Sequence, residues 1–210
     1  MMKLYGFGAT RWLRALWALR ELDAEFEFVP INLLAGEHRC PDFLRLNPAG
    51  KIPVLVDGDV TLTESAAIVM YLAEKYRDRG LLPADLGERA QVYRWAMFAV
   101  TELEQPLWRI TRHTRLYPED KRLPDDVALA SQEFVAMAAV LDRHMEGRQF
   151  IVGDRVTVAD CITAYTLDWG NERRLIDGCP QLCAYLERMY ARPKAPRRIA
   201  EAFASLQRGT

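Results

Sequence analysis

Little cysteine, little histidine and no excess of either charge mark this sequence, and each shortage closes off a class of protein. The four cysteines, Cys40, Cys161, Cys179 and Cys183, form no C-x-x-C pair. They read as small apolar core residues of a reduced cytosolic protein, not as a disulfide framework. Three scattered histidines leave no ligand spacing for a zinc site. Lysine and arginine number 28 against 29 acidic residues, so the basic face of a nucleic-acid binder is missing. No apolar run approaches the roughly 18 residues of a membrane span. Met1–Lys3 leads into a strand pattern, not into a secretory apolar region, and the same early strand argues against reading the basic run Arg11–Leu22 as a transit peptide.

What is present is apolar residue, half of the total, enough for a sizeable core. Residues 3–7 alternate as a short strand. Leu13, Leu16, Trp17 and Leu19 recur at helical spacing and predict a helix from about Thr10 to Leu22. Phe26, Phe28 and Ile31 predict a second strand, and residues 41–46 a helical turn. In AGKIPVLVDGDVTLTESAAI, residues 49–68, Val54–Val56 and Val60–Leu62 predict a hairpin turning at Asp57-Gly58. Pro53 heads the first of these strands, where it removes a ladder donor. Ser65–Arg77 completes the order β-α-β-α-β-β-α, a thioredoxin-like arrangement. Gly80, Pro83 and Gly87 punctuate a linker. Beyond it the pattern is helical only. Tyr93, Met97, Val100, Leu103 and Leu107 keep one helical period, which Pro106 should kink. Val127, Ala130, Phe134, Met137 and Leu141 keep a second. Thr157-x-x-Asp160 opens a third helix as a capping-box pair and reads as structural. Pro180 and Pro196 are placed to start two more. The fold class is therefore α/β plus all-α, with a thioredoxin-like domain over 1–78, a linker over 79–87 and an all-helical domain of about five helices over 88–210.

KLYG at the start, LLAGEH, LNPAGKIPVL, TESAAIVMYLAEKY, and later VTVADCITA and YLERMYARP stand in an order and spacing that together carry a family resemblance. The chain resembles the cytosolic glutathione transferases, of bacterial type and closest to the hydroxyl-using theta- and phi-like classes. The resemblance implies a cis bond at Pro53, with the main chain of Ile52 turned to the cysteinyl backbone of glutathione. It implies that Ser65, with Glu64 before it, holds the γ-glutamyl end at a helix N-terminus, and that His38 and Lys51 meet the glycine carboxylate. The catalytic hydroxyl of the family falls at Ala9 or Thr10, and Thr10 is the only hydroxyl there. No cysteine stands at that position, which disfavours a mixed-disulfide mechanism.

The function so implied is transfer of the glutathione thiolate to a small hydrophobic electrophile by a cytoplasmic homodimer. Glutathione is the co-substrate, and no metal or other cofactor, nucleic acid or membrane is called for. Trp12, Trp108, Arg112 and Tyr117 are candidates for the electrophile's wall, and Glu102 or Glu104 for reaching the partner subunit's glutathione. The rivals are a glutathione-dependent dehalogenase or isomerase, and a binding protein that keeps the fold without the chemistry.

Overall fold

The computed structural model describes residues 1–207, with side chains to residue 205. Its backbone forms two compact units, Met1–Pro83 together with the segment from Arg192 onward, and Ala84–Ala191. In the first, β1 (Met2–Gly6) leads to α1 (Trp12–Glu21), β2 (Phe26–Pro30), α2 (Pro41–Leu46), β3 (Val54–Asp57), β4 (Val60–Leu62) and α3 (Ser65–Lys75). The sheet order is β2-β1-β3-β4; β1 and β2 run parallel, and β3 is antiparallel to both β1 and β4.

Strand alternation sorts the side chains into two layers. Leu4 and Leu55 are paired across β1 and β3 and fully buried. On the other face Val54 joins Ile31, Phe43 and Ile52 in a cluster that Tyr5, Phe7 and Val56 extend. Gly6 has to be glycine: a Cβ there would lie 2.5 Å from the Trp12 ring. Helix α1 is buried nearly all round, from Leu13 to Leu19, and this buried run includes one charge, Arg14.

Helix α1 begins at Trp12, two residues later than the sequence period suggests, because residues 8–10 are spent in a turn. The hairpin loop is Gly58-Asp59, one residue on from the expected Asp57-Gly58: Asp57 pairs with Val60, and Gly58 supplies the positive φ of 59°.

The second unit contains α4 (Leu86–Phe98), a π turn over Ala99–Leu103, α5 (Glu104–Thr111), a second π turn over Arg112–Leu116, α6 (Pro124–His144), α7 (Val158–Asn171) and α8 (Pro180–Tyr190). Asp85 caps α4 by accepting the Glu88 N–H at 2.9 Å. The first π turn sits just ahead of Pro106, where the wider turn accommodates a residue that has no N–H and clashes with the carbonyl four back. It also shifts the helical phase. Tyr93 and Met97, expected on the core stripe, are 36% and 43% exposed, and Val92, Trp95, Ala96 and Ala99 fill the core instead. After the turn, Leu103 and Leu107 are buried as expected.

The C-terminal segment departs from the expected domain of 88–210. Arg192 makes two hydrogen bonds to the Glu21 carboxylate at 2.8 and 2.9 Å, Lys194 pairs with Asp23 at 2.6 Å, and Arg20 donates to the Ala195 carbonyl at 3.0 Å. These bonds return the chain to the first unit. There α9 (Ile199–Gln207) begins three residues after Pro196, which therefore precedes the helix instead of opening it.

Candidate functional site

Sheet topology gathers the expected residues. Because β1 and β2 are parallel and β3 is antiparallel to β1, the end of β1, the end of β2 and the start of β3 lie at one end of the sheet. The end of β4 returns there, since Leu62 pairs with Leu55. The loops after β1 and β2 (Thr10, His38), the entry to β3 (Lys51–Pro53) and the exit from β4 (Glu64, Ser65) therefore share that end.

The Ile52–Pro53 bond is cis. Ile52 is 7% exposed and belongs to the apolar cluster under the sheet. Its backbone N–H and C=O take no partner among the described residues. Unpaired main-chain groups on a buried residue are rare, because each such group loses its water. Here the donor and the acceptor of one residue stand open together. The loop before Ile52 is held from behind: Asn47 Nδ2 donates to the Lys51 carbonyl at 2.7 Å, and Asn47 Oδ1 accepts the Ala49 N–H at 3.0 Å. Gly50 has φ +60°, and a Cβ on it would come 3.0 Å from the His38 carbonyl. That close approach brings the loops of His38 and Lys51 together. Lys51 is exposed, and the buried Nδ1 of His38 has no partner.

At the exit from β4, Glu64 has φ 64°, ψ 111°, a conformation that non-glycine residues rarely adopt and that concentrates at functional sites. It aims the chain into α3, whose first-turn N–H groups have no intrahelical partners. The Glu64 carboxylate is exposed. Ser65 is 6% exposed, and its Oγ accepts a hydrogen bond from Arg14 Nη1 at 3.1 Å. A guanidinium only donates. The Ser65 oxygen must therefore receive, and its own proton is left to be donated outward. Arg14 itself is 1% exposed. The sequence reading missed it, although a single charge within the run Leu13–Leu19 was the available signal.

Thr10 does not cap α1. Its Oγ1 donates to the Phe7 carbonyl at 3.0 Å, so the hydroxyl proton is engaged, while its backbone N–H has no partner among the described residues. Trp12 is not free for a second substrate: its ring stacks on Phe28 at 4.6 Å between centroids, and Nε1 donates to the Gly8 carbonyl at 2.7 Å.

Residues 1–74 match the family model of the glutathione S-transferase N-terminal domain, and residues 112–193 that of the C-terminal domain. The chain is 36% identical to glutathione S-transferase F9 of Arabidopsis thaliana over 165 residues, 76% of each chain. It is 34% identical to glutathione S-transferase 3 of Zea mays, over 95% of this chain and 93% of that one. The crystal structure of glutathione transferase F7 from Populus trichocarpa superposes with a TM-score of 0.84 at 26% identity, covering 96% of this chain and 99% of that one. The chain belongs to the glutathione S-transferase family.

The capping box at Thr157 is a buried scaffold in this glutathione S-transferase. Asp160 Oδ1 accepts the Ile151 N–H at 2.9 Å and the Tyr185 hydroxyl at 3.0 Å; Oδ2 accepts the Thr157 N–H at 2.9 Å and its hydroxyl at 3.0 Å. Complete burial pushes the Asp160 carboxyl up to about 6, against these four donors, so it is ionised at neutral pH. Every acceptor position on it is used internally. Among the described residues, no group of His, Cys, Asp or Glu is arranged to hold a metal ion, and no helix is long and apolar enough to cross a membrane.

Proposed function

We propose that this protein is a glutathione transferase of phi-like character that ionises bound glutathione and transfers its sulfur to an electrophilic carbon of a small compound. The observation that carries this reading is the buried residue Ile52, whose main-chain donor and acceptor stand open just before β3 at the end of the sheet. The cysteinyl residue of the tripeptide pairs with both. The γ-glutamyl carboxylate takes the Ser65 proton and the N–H groups of α3, where the helix dipole favours an anion. The γ-glutamyl ammonium faces the unpaired Glu64 carboxylate. His38 and Lys51 supply donors for the glycine carboxylate. Pro53, which has no N–H, presents no competing donor there.

The thiol is then held near Thr10 and the start of α1. A thiol loses its proton more readily where donors and a helix N-terminus favour the thiolate. The backbone N–H of Thr10 is open, and its hydroxyl serves once it turns from Phe7 to the sulfur. The proton leaves to solvent, the sulfur lone pair forms the new S–C bond, and the leaving group departs with the bonding electrons. Proximity of the two reactants supplies the rest of the rate.

Family membership supports a cytoplasmic homodimer. The exposed stripe Leu86, Tyr93 and Met97 along α4 gives such a dimer an apolar surface to cover. The reading is tested by calorimetry with glutathione, by turnover of chlorodinitrobenzene and by absorbance titration of the bound thiol. Thr10→Ala should lower kcat by about tenfold, the cost of one donor to a charged atom, and raise the bound thiol's pKa, leaving glutathione affinity near its original value. Binding without any fall in the thiol pKa, in the unaltered protein, would overturn the proposal.

A further inference from the structure

One face of α5 carries Trp108, Thr111, Arg112 and, in the π turn that continues it, Arg115, at helical spacings of three, four and seven residues. The end of α7 carries Trp169, and Arg173 follows four residues later. The two sets meet. Trp108 and Trp169 contact edge to face at 6.1 Å between centroids, and the Arg112 guanidinium lies 5.4 Å from the Trp108 ring centre. Arg173 Nη2 donates to the hydroxyls of Thr111 and Thr114 at 3.4 and 3.2 Å.

Among the described residues, none of Arg112, Arg115 and Arg173 has a carboxylate partner. The acids beside α5 are already engaged: Asp126 and Glu133 pair with Arg109, and Asp126 lies 3.3 Å from His113 Nε2. Arg173 is the informative member. Arg115 is exposed and Arg112 rests on an indole, as surface arginines do. Arg173 is partly desolvated and has only neutral hydroxyls for side-chain partners, with Arg115 close enough that burial and this like charge together lower its pKa. One cation on an indole and two more close to each other, none of the three paired with a carboxylate, want an anion.

We infer that Arg112, Arg115 and Arg173, backed by Trp108 and Trp169, bind an aromatic carboxylate. The inference does not depend on the transferase reading. The guanidinium fork matches a carboxylate in two parallel hydrogen bonds, and the indoles take the ring in stacked or edge contact. A neutral aromatic ligand would leave the cations without an anion.

The test is a fluorescence titration, since Trp108 and Trp169 report directly on a nitroaromatic quencher. Dinitrobenzoate should bind at least about tenfold more tightly than its methyl ester, a difference of about 1.4 kcal/mol. Arg115→Gln should erode that preference, and Arg173→Gln combined with it should bring the ratio below about threefold. Equal affinities in the unaltered protein, or a preference that survives in both variants, would overturn the inference. Arg115→Gln alters an exposed side chain, so one arm of the test does not depend on the integrity of the core.

Discussion

Replacing Ser65 with alanine removes one hydroxyl and tests the anchoring of glutathione most directly. In the folded protein that oxygen accepts from the buried Arg14 at 3.1 Å, which frees its proton for the ligand. A hydrogen bond to a charged group contributes about 1.5–3 kcal/mol, so glutathione should bind about ten- to a hundredfold more weakly. The N–H groups of α3 remain, so binding should persist at millimolar ligand. Arg14 would also lose an acceptor inside the core, at a cost of about 1–3 kcal/mol in unfolding free energy. The decisive assay is calorimetry on both proteins with glutathione and with an analogue lacking the γ-glutamyl α-carboxylate. The unaltered protein should lose affinity for the analogue, and Ser65→Ala should lose much less, because the two changes delete the same interaction. If the analogue is weakened equally in both proteins, Ser65 does not touch that carboxylate and the orientation of the tripeptide is wrong.

Gly50→Ala should lower stability by about 1–2 kcal/mol and raise the KM for glutathione, because the new methyl meets the His38 carbonyl and φ is +60°; denaturant titration and initial rates check this. Asp160→Asn should cost on the order of 2–5 kcal/mol, because its amide nitrogen turns to two of the four donors now satisfied. The same residue gives a pH signature. Its carboxyl titrates at about 6 in the folded protein, above the roughly 3.9 of an unfolded chain, so between these values the folded state binds more protons. Its contribution to stability is therefore greatest at or below about pH 4 and falls by up to about 3 kcal/mol as pH rises through about 6. Urea titrations of the unaltered protein and Asp160→Asn at pH 4.5 and 6.5 should show the gap narrowing at the higher pH.

The sequence by itself determined the element order of the first unit, the all-helical character of the second and the family. Strand alternation, Pro53 and the turn glycines are local signals, readable within a few residues. The motif order from KLYG to YARP supplied the candidate residues, from Thr10 to Ser65. Tertiary structure decided what those residues can do. That the Thr10 proton rests on Phe7, and that Ile52 keeps its main chain open, depends on which carbonyls and strands come near. Arg14 read as one charge in an apolar helix until folding set it 3.1 Å from Ser65, 51 positions away. The burial of α4 could not be read by counting at 3.6 residues per turn, because a π turn ahead of Pro106 changes the phase. The return of the chain at Arg192 to Glu21 joins charges 171 residues apart, a pairing that no local pattern encodes. Periodicity fixes which face of an element is apolar. Which polar groups are left with an open valence is settled only when distant segments have claimed their partners.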